Sequence, residues 1–175
     1  MTQTTAFGLR TLIIGNSGSG KTTLARCLAG VFQVPAVDLD RVHWTGWDGG
    51  IGHKRDEGIA RQMAGEEAAK PRWVIEGVYG WLAEAVMPRA VALIWLDVPW
   101  GECRDGLVAR GPWAGVDAAG FAEFLTWAEA YATRQTSTSF DGHARIFAAF
   151  AGHKMRLGNR SAVNAFMNDL TANTP

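Results

Sequence analysis

The chain has 175 residues, which suits a single domain with one hydrophobic core. Its hydrophobic and charged fractions, 47% and 19%, are those of an ordinary globular protein, and its formal net charge is zero. The neutral charge argues against a broad nucleic-acid-binding surface. The sequence has no apolar run of about 18 to 20 residues and no apolar segment within residues 1–8, so we expect a cytoplasmic protein with no membrane span.

The first predicted strand and helix flank a glycine-rich loop. Thr11–Ile14 form a short apolar run, and the segment Thr22–Ala29 has helical spacing, with Leu24 and Leu28 on one face. The sequence between them, GNSGSGKT, fits the pattern G-x-x-x-x-G-K-[ST] of loops that bind nucleotide phosphates. Backbone N–H groups of such a loop and the N-terminus of the following helix bind the phosphate oxygens.

This motif predicts a site for ATP and Mg²⁺, and GTP fits the same pattern. Lys21 is expected to reach the β- and γ-phosphates, and the Thr22 hydroxyl is expected to ligate Mg²⁺. The predicted nucleotide-binding residues are Gly15, Asn16, Ser17, Gly18, Ser19, Gly20, Lys21, Thr22 and Thr23.

Strand and helix patterns alternate along the rest of the chain. The predicted elements are a strand at Pro35–Asp40, a helix from about Lys54 to Lys70, a strand at Trp73–Glu76, a short helix at Trp81–Met87, a strand at Ala90–Asp97, a weak fifth strand at Lys154–Leu157 and a last helix at Ser161–Leu170 capped by Asn159 or Ser161. A glycine-rich stretch follows the second strand at Thr45–His53, and a helical insert over residues 99–139 is broken at Gly111-Pro112. This alternation predicts one α/β domain over residues 1–175, with a parallel sheet covered on both faces.

Five segments of the chain resemble the P-loop nucleotide and metabolite kinases of the adenylate-kinase-like group. They are LIIGNSGSGKTTLAR, VDLDRVHW, RWVIEGVY, LIWLDVP and EFLTWAEAYATR, which together run from Leu12 to Arg134, about two-thirds of the chain. Within that group the chain is most similar to the DNA topology modulation proteins. The resemblance implies a three-layer P-loop NTPase fold with a five-stranded parallel sheet, an acceptor-binding segment after the second strand and an arginine-bearing helical lid before the last strand.

Three acidic residues are expected near the phosphate loop. Asp38 and Asp40 end the second predicted strand, at the edge where open α/β sheets bind ligands. The resemblance implies that Asp40 orients or deprotonates an acceptor hydroxyl and that Asp38 holds a Mg²⁺-bound water. For Asp40, capping of the next helix is the alternative role. The resemblance also implies that Glu76 holds the water shell of Mg²⁺; the alternative is an ion pair with Arg72 or Arg41.

The acceptor pocket is expected beside these acids. The resemblance and the position of His43 and Trp44, close after Asp40, suggest that both side chains line the pocket together with Tyr79, while packing in the core is the alternative. No arginine follows Glu76-Gly77 as it does in nucleoside monophosphate kinases. This departure weakens the case for a nucleoside monophosphate as acceptor.

Arginines of the insert are expected to close over the transferred phosphoryl group, because its charge spreads over the equatorial oxygens. The resemblance points to Arg110 and Arg134 as catalytic residues beside Lys21 and Asp40, with Arg104 as a third candidate. Arg160 follows the last strand, where the resemblance places the adenine ring, and either stacks on that ring or is simply solvated.

The expected activity is ATP-dependent phosphoryl transfer to a small-molecule acceptor, either a nucleotide or a hydroxyl-bearing metabolite. One alternative is an ATP-binding regulatory protein without kinase activity that acts on DNA, although the neutral charge makes nucleic acid an unexpected partner. Another is an NTPase that uses no acceptor.

Overall fold

The computed structural model describes residues 7–46 and 52–172. Its strands are Arg10–Gly15 (β1), Ala36–Asp38 (β2), Trp44–Thr45 (β3), His53–Lys54 (β4), Trp73–Gly77 (β5), Ala92–Leu96 (β6) and His153–Leu157 (β7). Its helices are Lys21–Phe32 (α1), Leu39–His43 (α2), Glu57–Ala69 (α3), Gly80–Val86 (α4), Trp100–Arg110 (α5), Ala118–Glu129 (α6), Phe140–Ala149 (α7) and Arg160–Ala172 (α8), with 3₁₀ turns at Met87–Arg89 and Ala130–Ala132. Over these two ranges no helix is long and apolar enough to cross a bilayer.

Five of the strands form one parallel sheet in the order β2-β5-β1-β6-β7. Every residue of β5 and of β6 is buried, as expected for strands covered on both faces. Helices α3, α4 and α7 contribute to the core on one face, and α1, α5 and α8 contribute to the core on the other. The predicted three-layer α/β fold class is therefore confirmed.

The central strand shows how the sequence builds these two cores. Successive side chains of a strand point to opposite faces, so Leu12 and Ile14 pack on the first face while Ile13 packs on the second. All three side chains are fully buried. Burial of each contributes about 1.5–3 kcal/mol to folding, which makes β1 a rigid base for the loop that follows it.

The register of the sheet brings functional positions together at one edge. Ile14 of β1 pairs with Gly77 of β5, and Asp38 of β2 pairs with Glu76 of β5. The carboxyl ends of β1, β2 and β5 thus lie side by side, at the edge where parallel sheets bind ligands.

The second strand ends earlier than predicted. The prediction of a strand over Pro35–Asp40 is wrong beyond Asp38, because Leu39–His43 form the helix α2. The Asp38 carboxylate accepts a hydrogen bond from the backbone N–H of Asp40 (2.8 Å) and so caps this helix. Asp40 therefore lies on a helix and not at the end of a strand.

The structure contains one helix that was not predicted, α7. Ser139 caps it by accepting a hydrogen bond from the Gly142 N–H, and its buried face includes His143 and Ile146. For the last helix, Asn159 is the cap, since its side-chain oxygen accepts a hydrogen bond from the N–H of Ala162 (2.8 Å). The glycine-rich stretch predicted at Thr45–His53 lies partly outside the described residues, and its described ends form the β3–β4 pair.

The carbonyl group of Ser137, near the end of the insert, lies between helices α4 and α7. Gly80 at the start of α4 and Gly142 in α7 both approach it so closely that a Cβ atom on either glycine would overlap the carbonyl oxygen. The chain thus holds α4 and α7 together through a contact that only glycine permits.

We expect Gly80→Ala to lower the free energy of unfolding by about 1–3 kcal/mol, because the new methyl group must push the Ser137 backbone aside. The matched control is Gly30→Ala in α1, where an added Cβ would meet no atom within 4 Å. That change should raise stability by up to about 1 kcal/mol, since alanine favours helix over glycine. Urea unfolding of both variants tests the contact; equal stabilities would contradict it.

Candidate active site

A loop at the end of β1 forms the first part of the site. Three of its glycines have positive φ angles: 151° at Gly15, 79° at Gly18 and 100° at Gly20. A Cβ on Gly18 would overlap the carbonyl oxygen of Cys103 in α5. The loop can adopt this curve and pack against α5 only with glycine at these positions.

Lys21 lies across the inside of this loop. Its side chain is 8% exposed, and its Nζ donates a hydrogen bond to the carbonyl oxygen of Asn16 (3.0 Å). The hydroxyl of Ser19 is buried with no hydrogen-bond partner among the described residues. The Lys21 ammonium is buried with one carbonyl partner, and the Ser19 hydroxyl is buried with none among the described residues. Both features fit a loop that binds an anion.

The side chain of Asn16 makes two hydrogen bonds within the protein. Its Nδ2 donates to the carbonyl oxygen of Ala128 in α6 (2.9 Å), and its Oδ1 accepts from the N–H of Ser17 (2.8 Å). The side chain therefore joins the loop to the end of α6. Its contribution to a bound phosphate is limited to its backbone.

Thr22 and Glu76 form the second part of the site. The Thr22 hydroxyl donates to Glu76 Oε1 at 2.6 Å, and Glu76 is 3% exposed. Burial raises the pKa of the Glu76 carboxyl, and the nearby charge of Lys21 opposes that rise. This contact differs from the alternative, in which Glu76 pairs with Arg72 or Arg41; Arg72 instead donates to the backbone oxygens of Gly8 and Phe32.

The hydroxyl and carboxylate oxygens of Thr22 and Glu76 suit Mg²⁺, which takes one or two protein ligands and completes its shell with phosphate oxygens and water. In the described part of the chain no three metal-ligating side chains cluster together. The pair thus fits a metal ion that arrives with a nucleotide.

A cavity of about 490 Å³ opens over the loop. Its lining includes the loop residues Gly18, Gly20, Lys21, Thr22 and Thr23, and the residues Glu102, Asp105, Gly106, Leu107, Arg110 and Arg160. Its size and its phosphate-binding floor suit a nucleotide.

Arg160 binds the loop through two of its carbonyl oxygens. Its Nη2 donates to the carbonyl oxygen of Gly18 (2.7 Å) and its Nη1 to that of Ser19 (3.1 Å). Its backbone N–H donates to Glu102 Oε2 (2.7 Å). Sequence reasoning missed this contact with the loop carbonyls, and stacking of Arg160 on an adenine ring stays a prediction.

A second cavity of about 390 Å³ lies on the other side of the loop, and Ser17 borders it. Four predicted acceptor-site residues line it: Asp40, His43, Trp44 and Tyr79. Asp38, the fifth predicted residue, caps helix α2 through its carboxylate and does not line this cavity.

Asp40 is the acid in this cavity. Its Oδ1 is buried without a hydrogen-bond partner among the described residues. Burial raises its pKa to about 7, with the charge of Asp38 adding to the rise and that of Lys21 opposing it. A carboxyl group that titrates near neutral pH is suited to accept a proton from a hydroxyl.

The aromatic residues beside Asp40 hold each other in place. The Trp44 indole N–H donates to the Tyr79 hydroxyl (2.9 Å), and the rings of His43 and Tyr79 lie 4.2 Å apart between centroids. Burial lowers the pKa of His43, and the charge of Lys54 adds to that effect. These contacts make one fixed wall of the cavity.

Helix α6 and the segment before it supply a second wall that sequence reasoning missed. It consists of Trp113, Phe124 and Trp127. Phe124 and Trp127 are three residues apart and thus share a helix face, and their rings are within 21° of parallel. That spacing was the available signal, but nothing in the sequence linked this face to Asp40.

The candidate arginines of the insert have different surroundings. Arg110, at the end of α5, lines the nucleotide cavity. Arg104 is exposed and lines neither cavity. Arg134 was expected to close on the phosphoryl group, but its terminal nitrogens donate to the carbonyl oxygens of Trp127 and Thr138, and its guanidinium lies 4.2 Å from the Trp127 ring centre. Arg134 thus positions the second wall.

A buried hydrogen-bond chain supports the first wall from behind. The Trp95 indole N–H donates to the Tyr131 hydroxyl (3.4 Å), which in turn lies 2.7 Å from His143 Nδ1. His143 Nε2 lies 3.0 Å from the carbonyl oxygen of Val78 and must donate to it, so Nδ1 accepts from Tyr131. Burial lowers the pKa of His143 to about 3, and this neutral ring fixes the backbone next to Tyr79.

Three solved structures that share this fold are kinases by name. A shikimate kinase from Bacteroides thetaiotaomicron matches with a TM-score of 0.54 and 20% identity, over 94% of this chain and 97% of that chain. A shikimate kinase from Acinetobacter baumannii in complex with shikimate matches at 0.55 and 14%, over 96% and 94%. A gluconokinase from Sinorhizobium meliloti matches at 0.52 and 13%, over 97% and 99%.

At these identities the likeness establishes the P-loop kinase fold and leaves the activity to the site itself. No protein-family profile and no curated protein matches the sequence. The closer similarity to the DNA topology modulation proteins stays a prediction.

We expect Asp40→Asn to stabilise the folded chain at high pH. The pKa of Asp40 is raised on folding, so the folded state binds more protons, and the stability linked to this group falls as pH rises from about 4 to about 7. Asparagine cannot ionise, so the thermal midpoint of unfolding of the variant should exceed that of the unaltered chain by at least about 2 °C at pH 8.

The gain should vanish near pH 3, below the ordinary aspartate pKa of 3.8, where Asp40 is largely protonated in both states. The matched control is Asp105→Asn, which removes an exposed carboxylate of α5 and should show no such gain. A midpoint for Asp40→Asn that is equal to or below that of the unaltered chain at pH 8 would refute the raised pKa.

Proposed function

We propose that this chain transfers the γ-phosphoryl group of MgATP to a hydroxyl group of a small-molecule acceptor. The observation that carries the proposal is that one phosphate-binding loop borders two separate cavities. Lys21 lines the first cavity, which opens over the loop, while Ser17 and Asp40 line the second cavity with its aromatic walls. An NTPase without an acceptor needs only the first cavity, and a DNA-binding regulator leaves the second one without a role.

In the proposed step the acceptor oxygen attacks the γ-phosphorus, and the bond from that phosphorus to the β–γ bridging oxygen breaks. ADP leaves with the electron pair, and the hydroxyl proton passes to a carboxylate oxygen of Asp40. Lys21 and Arg110 balance the negative charge of the phosphoryl group, and the charges of both act on Asp40. Mg²⁺, held through Thr22 and Glu76, supplies further positive charge to the phosphates when it is bound.

The named activities of the structural neighbours support the same reaction class. Two shikimate kinases and a gluconokinase are among the matching chains, and each aligns with this chain over nearly its whole length. The shared fold agrees with this reaction class, while the residues of this chain carry the argument for it and must also identify the acceptor.

The test is the rate of ADP release from MgATP, with and without a panel of hydroxyl-bearing acceptors. We expect at least one acceptor to stimulate release, and Asp40→Asn to lower the stimulated rate by about 10²- to 10⁴-fold while MgATP affinity is retained. Turnover that no acceptor changes, with MgATP bound, would contradict the proposal.

We also expect Lys21→Ala to weaken MgATP binding by about 100-fold or more, because the loop loses its charged contact to the phosphates. Calorimetric titration measures the affinity. The matched control is Lys70→Ala, which removes an exposed lysine paired with Glu67 on the far end of α3 and should bind MgATP normally. Tight MgATP binding by the Lys21 variant would show that the nucleotide site is elsewhere.

A further inference from the structure

The two walls of the second cavity offer flat rings to a ligand. His43, Trp44 and Tyr79 form the first wall, and Trp113, Phe124 and Trp127 form the second. All except His43 are only partly buried, and the Arg134 guanidinium covers one face of the Trp127 ring. Ring faces of this kind bind planar aromatic groups by stacking, whereas a polyhydroxylated, non-aromatic acid gains little from them.

The charges around this cavity disfavour an anion. The described residues that line it include two carboxylates, Asp40 and Glu123, and one cation, the exposed Lys54. No arginine is among these described lining residues. Carboxylate and phosphate groups are bound most effectively by the paired N–H groups of arginine, and a carboxylate beside them would repel such a ligand.

Arg134 is the nearest candidate for an anion receptor, but its contacts commit it elsewhere. Its Nη1 and Nη2 both donate to backbone oxygens, and its flat face rests on the Trp127 ring. Its Nε is buried and has no hydrogen-bond partner among the described residues. Because both terminal nitrogens donate to the backbone and Arg134 is not among the residues that line the cavity, it offers no pair of N–H groups to a ligand there.

We propose that the acceptor is a hydroxyl-bearing compound with a flat aromatic ring and no negative charge, of about the size of a nucleoside. The inference rests on the proposed function for the chemical step. The ring lies between the aromatic walls, and the hydroxyl meets Asp40. The acceptor oxygen forms its bond to the γ-phosphorus of MgATP, ADP leaves with the electrons of the bridging bond, and Asp40 takes the proton.

The experiment compares neutral aromatic ligands with anionic ones. The probes are four nucleosides, their 5′-monophosphates, and shikimate as a non-aromatic acid. Binding is measured by calorimetry on the full chain saturated with MgADP, and turnover is measured as ADP release from MgATP. We expect at least one nucleoside to bind at least about ten-fold more tightly than its monophosphate and than shikimate, and to stimulate ADP release.

Variants of the second wall test where the ring lies. Trp127→Leu and Phe124→Leu should each raise the KM of the nucleoside by about ten-fold and leave the KM of MgATP unchanged. Phe121→Leu is the matched control, since Phe121 is on the same helix, packs on Phe124 and does not line the cavity. Its KM for the nucleoside should stay within about two-fold of the original value.

The two measurements separate the inference from the function on which it rests. A preferred acceptor that is anionic, with a KM that rises when Lys54→Met removes the cation, would overturn the inference and leave the kinase proposal intact. Nucleosides that bind the MgADP-loaded chain but never stimulate ADP release would support the ring site and contradict the kinase. Failure of every nucleoside to bind would overturn the inference whatever the turnover.

Discussion

Three parallel strands end side by side at one edge of the sheet, and the whole site depends on that register. Backbone pairing places Asp38 of β2 next to Glu76 of β5, and the neighbouring β1 leads into the phosphate loop. The hydrogen bond from Thr22 to Glu76 then joins the loop to β5. Because the buried strands β1 and β5 set these positions, Glu76 lies close enough to Lys21 to feel its charge before any ligand arrives.

This crowding is unfavourable for stability and useful for chemistry. Glu76 and Asp40 are both forced toward higher pKa values, chiefly by burial, and each also feels the charge of Asp38. Ordinary structural acids avoid such surroundings, whereas groups that bind metal ions or accept protons are commonly found in them. The pKa of Asp40 is raised to about 7, so near neutral pH the carboxylate can accept a proton and release it again. The same residue that weakens the fold at high pH thus serves the proposed reaction.

Sequence reasoning succeeded where the chemistry is contiguous in the chain. The strand, loop and helix around Lys21 form a local pattern, and His43 and Trp44 follow closely after Asp40.

Sequence reasoning failed where tertiary packing decides which residues meet. The wall carrying Phe124 and Trp127 comes from a helix some eighty residues after Asp40, so only the folded chain brings the two together. Arg134 was recognised by type and position, but the oxygens to which it donates depend on the path of the backbone around it. The capping by Asp38 was missed for a simpler reason, since a short apolar run fits a strand or a helix equally well.

The most direct test of the account is to follow the transferred phosphorus itself. The full chain is incubated with MgATP and a nucleoside that binds it, and ³¹P NMR spectra record where the γ-phosphorus goes. The account predicts a new phosphomonoester resonance that grows in step with ADP, with little inorganic phosphate, because the acceptor oxygen and not water attacks. Growth of inorganic phosphate alone, matched to ADP, would show that the chain hydrolyses ATP and would contradict the central claim.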